Sequence, residues 1–326
     1  MRAVLLLCIL AACSACLAAE REPLVLEEKI PLEHVSGRID HLALDLPQRR
    51  LFVAALGNNT VEVVDLAARR VIRTLTGFDE PQGVAYLARS QTLYVANGGD
   101  GSLRIFRGTE LTSLASIKLG SDADNVRVDQ DGQHVYVGYG AGAIAVIDET
   151  AQAKLADIRL KAHPESFQLE TSGSRIFVNV PDASEIAIID RRTNKQTGAW
   201  PTGNLHANYP MALDEKNNRV LTIFRHPATL AGFDLQTGTV LDQVATCGDA
   251  DDVFNDTRRG YVYVACGEGF IDVFELRGKS YVRIGRVKTI AGARTALYSA
   301  DLDQLFLAAR ATSAETASIW ILRPSQ

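Results

Sequence analysis

Cysteine, proline and long apolar runs are all scarce in this 326-residue chain. Three of its five cysteines fall within the first sixteen residues, and no histidine follows the Cys13/Cys16 pair, which excludes a covalent haem site there. Ten prolines, no low-complexity tract and no block of like charge leave no candidate linker, so one continuous domain is expected. The apolar run from Ala3 to Ala12 is too short to cross a bilayer, and no transmembrane segment is expected. The formal net charge is −5, without a basic stripe, which argues against nucleic acid or an anionic membrane as partner. No Ser-His-Asp order suggests a nucleophile. Gly138-Tyr139-Gly140-Ala141-Gly142 precedes a strand pattern rather than a helix, so it reads as a hairpin turn and not a phosphate cradle.

What is present begins at the N-terminus. Arg2, the apolar run and the small-x-small triplet Cys16-Leu17-Ala18 read as a secretory signal over residues 1–18, leaving 19–326 as the mature domain. A periplasmic or secreted protein follows. A competing reading takes Leu10-Ala11-Ala12-Cys13 as a lipobox, with the protein lipid-anchored through Cys13.

The rest of the chain repeats itself. Strand openings start at Leu51 (LFVAALGN), Leu93 (LYVANGGD), Val135 (VYVGYGAG), Ile176 (IFVNVPDA), Val220 (VLTIFRHP), Val262 (VYVACGEG) and Leu305 (LFLAARAT), spaced 41 to 44 residues apart. Apolar residues alternate with period two, as in Val61-Glu62-Val63-Val64-Asp65, which is strand and not helix periodicity. Each unit holds four strands graded from apolar to polar. That spacing is the one propeller blades have. The predicted fold is all-β, a seven-bladed β-propeller. The seventh unit has only three strands before the chain ends, while Leu24 to Leu32 is a strand without a unit. Pairing the two closes the ring and removes an edge, and Pro31 suits an outermost strand.

The LYVAN, VYVGY and VYVAC strands, with apolar-Asp strand ends at Asp65, Asp148, Asp190 and Asp234, resemble the YVTN-repeat seven-bladed propellers of exported proteins. Those sit within the wider quinoprotein amine dehydrogenase-like propellers. The resemblance implies the fold and leaves activity open, because such propellers host several functions. The fifth unit departs from it, reading Val220-Leu221-Thr222-Ile223-Phe224, and the Gly-His and Trp-Asp marks of WD40 repeats are missing.

Propellers place ligands at the mouth of the central channel. Eleven residues before each strand opening stand Asp40, Gln82, Asp124, Glu165, Tyr209, Asp251 and Arg294, all polar; two positions further on the row is wholly apolar. His41, Asn125, Asn208, Asp252, His163 and His206 lie beside the polar ring. Four carboxylates at one mouth need a cation, an arginine, raised pKa values or water to coexist. Asp40, His41, Gln82, Asp124, Asn125, Glu165, Asn208, Tyr209, Asp251 and Arg294 are therefore the candidate ligand-binding residues. Asp124, Glu165, Asp251 and His41 are the candidate metal ligands. An oxygen-rich rim suits Ca²⁺ or Mg²⁺, as in metal-dependent lactonase propellers; His41, His163 and His206 suit a transition metal instead. The plainer alternative is a hydrated funnel in which Arg294 pairs with Asp251 or Asp40.

Three functions remain in play: a monomeric binding or scaffold protein taking a small molecule or a protein partner, a lactonase-like hydrolase, and a docking partner of a redox enzyme. Cys247 precedes the first strand of the sixth unit and Cys266 ends its second. Antiparallel neighbours bring those two ends together, so a disulfide is expected in an exported protein.

Overall fold

The structure is a computed structural model that describes residues 22–129 and 133–325. The signal read over 1–18, and Cys13 with it, lie outside the described residues. Seven four-stranded antiparallel sheets form the ring. The innermost strands are Leu42–Asp45, Pro81–Leu87, Ala123–Val128, Phe167–Leu169, His206–Asp214, Ala250–Asp256 and Ala296–Ser299, which number blades 1 to 7. Each touches the next around the axis, and Ala296–Ser299 touches Leu42–Asp45 to complete the circle. Chains of this architecture bury apolar side chains between sheets. Seven separate apolar clusters follow, one at each blade–blade junction.

The repeated motif explains that packing. Its second residue is Phe52, Tyr94, Tyr136, Phe177, Leu221, Tyr263 or Phe306, each buried between two blades. In the fifth unit Leu221 replaces the aromatic ring, and Tyr281 from blade 6 packs in the same cluster. The grading of strands is also as expected. The second strands, such as Arg50–Ala55, are buried throughout, whereas outer strands such as Thr112–Lys118 are mostly exposed.

Closure uses the N-terminal strand. Leu24–Pro31 pairs antiparallel with Ser318–Pro324, in a register running from Leu24 opposite Pro324 to Pro31 opposite Ser318. It is the outermost strand of blade 7, where Pro31 can spare its missing N–H. Leu24 and Ile30 are fully buried by the pairing. Cys247 and Cys266 form the expected disulfide, with Cα atoms 5.9 Å apart. Among the described residues no helix is long and apolar enough to cross a membrane.

Candidate binding site at the channel mouth

The inner strands all enter from the same end of the ring, and the residues at their threshold are carried to the axis. Asp40, Gln82, Asp124, Glu165, Tyr209, Asp251 and Arg294 line one cavity of about 470 Å³, so every blade contributes to it. The apolar row two positions on, from Leu42 through Val126 and Phe167 to Ala296, is buried beneath. Strand pairing slips at the start of the inner strands, between Pro81 and Val84 and between Ala123 and Val126. Such bulges re-aim side chains. In blade 3 consecutive residues, Asp124 and Asn125, both reach the cavity. Gly83 allows blade 2 to approach that bulge: a Cβ there would lie 2.0 Å from the Asp124 carbonyl oxygen.

The arginines at the mouth are matched to carboxylates. Arg38 Nη2 lies 2.6 Å from Asp40 Oδ2, an ion pair without the alignment of a hydrogen bond. Arg225 donates from Nη2 to Asp251 Oδ1 at 2.7 Å, and its guanidinium stacks 3.8 Å from the Tyr209 ring centre. Arg294 reaches Asp251 Oδ2 at 2.8 Å through Nε and donates to Asp249 Oδ1 at 2.7 Å. His41 sits lower, with Nε2 3.7 Å from Asp40 and Nδ1 3.7 Å from Asp252. Burial disfavours its charged form, but Asp252, Asp40 and Asp124 outweigh that and raise its pKa to about 10.

Asp124, Asn125 and Glu165 differ. Asp124 Oδ1 and Asn125 Oδ1 are buried without a hydrogen-bond partner. Burial lifts the Asp124 carboxyl to about 7, with Asp40 and Glu165 adding to the rise and His41 opposing it. Burial and Asp251 likewise push Glu165 up to about 7 against Arg225. Asp251 rises to about 6 through burial, with Arg294 holding it down.

Two candidates lie elsewhere. Asn208 is fully buried and donates to Asn179 Oδ1 at 3.0 Å and to the Glu185 carbonyl at 3.1 Å. It joins blades 4 and 5 and does not line the cavity, because the slip between Asn208 and Met211 turns Tyr209 to the axis instead. His206 is exposed at the start of the nine-residue strand His206–Asp214, opposite His226, and does not line the cavity with His41 and His163. His163 does line the cavity, with Nδ1 2.6 Å from the Gly140 carbonyl. Among the described residues no three His, Cys, Asp or Glu side chains converge as a metal-holding group.

Sequence reasoning missed Arg38, Glu80, Asp122 and Arg225, all of which line the cavity. Arg38, Glu80 and Asp122 stand two positions before the rim residues, ahead of the inner strands, and positive φ at Glu80 and Asp122 turns the chain there. Arg225 stands five residues after its strand opening, where other units carry Gly98, Gly140, Pro181 or Gly267.

No protein-family model and no curated protein matches the chain. Its likenesses are structural. A chain in a crystal structure of a mitotic checkpoint complex is 14% identical with a TM-score of 0.78, over 99% of both chains. A chain of Kuenenia stuttgartiensis hydrazine synthase is 16% identical with a TM-score of 0.66, over 88% of this chain and 97% of that one. The seven-bladed β-propeller is thereby shared. With 1724 solved chains matching, the likeness says how the chain is built and not what it does.

Proposed function

We propose that this is an exported binding protein of the YVTN-repeat kind, whose channel mouth holds a small polar ligand. The supporting observation is the cavity to which all seven blades contribute, with polar side chains over a buried apolar floor. Asp124 Oδ1 and Asn125 Oδ1 lie in residues lining that cavity and have no hydrogen-bond partner within the protein, so they are acceptors that a bound molecule can meet. The cavity volume suits a metabolite-sized molecule. The alternative is a metal-assisted lactonase with a divalent cation at the same mouth, although among the described residues no three His, Cys, Asp or Glu side chains group as metal ligands.

The test is a ligand-observed NMR screen of polar metabolites against the mature chain and its Gln82→Trp variant, whose added bulk fills the mouth. Ligands should appear that bind at one site on the parent and are released by the variant. A screen that yields none, or only ligands indifferent to Gln82→Trp, overturns the reading. Export is tested by fractionation: the chain should be recovered outside the cytoplasm, shortened by residues 1–18, and a full-length cytoplasmic product contradicts it.

A further inference from the structure

We propose that the ligand enters by a positively charged nitrogen, a primary ammonium or guanidinium group, seated among Asp124, Asn125 and Glu165 on blades 3 and 4. This rests on the mouth being a binding site and adds the chemical class of what binds.

The unmet hydrogen-bonding capacity is one-sided. Arg38, Arg225 and Arg294 each already face a carboxylate, so their charge at the mouth is largely offset before any ligand binds. The orphaned atoms are acceptors. Asp124 is 8% exposed and Asn125 2% exposed, both line the cavity, and each has an oxygen with no donor. A buried acceptor left unpaired is costly, and an ionised one more so. Three arginines and the charged His41 stand against six carboxyl groups in the lining, which leaves an acidic excess. The three oxygen-bearing side chains come from two neighbouring blades, and among the described residues no three His, Cys, Asp or Glu side chains group as metal ligands. An ammonium or guanidinium group carries several N–H donors for such acceptors. The remaining cavity volume then receives the body of the ligand.

Protonation follows the same geometry. Asp124 faces His41, Asp40, Glu165, His163 and Arg127; Glu165 faces Asp251, Arg225, His41, Asp122 and Tyr209. Near neutrality both carboxyls are part protonated in the free protein, and a bound cation draws those protons off. Binding therefore weakens as pH falls from 8 to 6, by about tenfold for each carboxyl that must ionise.

Calorimetric titration of the mature chain with 1,4-diaminobutane and with methylguanidine, at about pH 8 and low salt, tests this. At least one should bind at a ratio of one, release protons at pH 6, and weaken by about tenfold or more in both Asp124→Asn and Glu165→Gln. Glu110→Gln, an exposed carboxyl away from the mouth, should bind as the parent does. Circular dichroism confirms that each variant is folded, and Glu165→Gln serves if Asp124→Asn is not. The proposal is overturned if neither probe binds, if binding is unchanged in the folded variants, or if Ca²⁺ or Mg²⁺ binds at these residues in their place. It is also overturned if succinate binds at the mouth instead. In that last case the binding-site reading survives, whereas an empty metabolite screen removes both.

Discussion

Cutting the Cys247–Cys266 bridge should cost the protein a stability that can be worked out beforehand. The two residues are 19 apart in sequence, and closing a loop of that length in the unfolded chain removes entropy worth about 3 kcal/mol. A domain of roughly 300 residues unfolds with an entropy of about 0.6 kcal/mol/K, so the melting temperature should drop by about 5 °C. The bridge is buried between the entry to strand Ala250–Asp256 and the end of Tyr261–Cys266. Asp249 and Asp251 lie just past Cys247 and hold Arg225 and Arg294. Loss of the bridge should loosen that side of the mouth as well. Differential scanning calorimetry of the parent and of the Cys247→Ser/Cys266→Ser variant gives the difference directly. A shift below about 1 °C, or two free thiols titrated in the denatured, unreduced protein, would refute the reasoning.

Removing residues 22–31 strips Leu24 from the junction of blades 6 and 7 and Ile30 from that of blades 7 and 1, about 2–3 kcal/mol each, and bares the edge of Ser318–Pro324. Self-association on size exclusion and a lowered urea midpoint are expected; a stable monomer contradicts ring closure by this strand. Gly83→Ala should push the Asp124 bulge away, since the added Cβ would sit 2.0 Å from its carbonyl, and cost about 1–3 kcal/mol by urea unfolding. A neutral result would show that blade 2 can yield. Between about pH 4 and 7 the folded protein holds protons on Asp124 and Glu165 that the unfolded chain has released. Stability should therefore fall as pH rises through that window, more shallowly in Asp124→Asn. His41 acts in the same direction at higher pH: its stabilisation is complete below about 6.5 and is lost as pH rises through about 10. A urea midpoint that climbs from pH 5 to pH 8 contradicts these signs.

The fold was legible because propeller blades are local. Each unit pairs with itself through short turns, so period, strand alternation and the unpaired strand at Leu24 carry nearly all the information. The rim was legible for a related reason: equivalent positions in a ring share one radius, so a fixed offset from each strand opening lands all seven residues on one cavity. What did not follow was partnership. Whether Arg294 meets Asp40 or Asp251 depends on blade-to-blade distances of a few ångströms, and it meets Asp251 and Asp249. Asn208 and Tyr209 could not be told apart because a bulge of one residue decides which faces the axis. Arg225 lies near the end of the second strand of its blade, Arg219–His226, which an offset counted on entering strands cannot reach.

The central claim is that the mouth keeps buried carboxyls whose unmet hydrogen-bonding capacity a cationic ligand completes. Carbon-13 NMR titration of the side-chain carboxyls of Asp124 and Glu165, with and without saturating 1,4-diaminobutane, measures this most directly. Midpoints near 7 in the free protein that drop when the diamine is bound are predicted. Midpoints near 4, unmoved by the diamine, would contradict it.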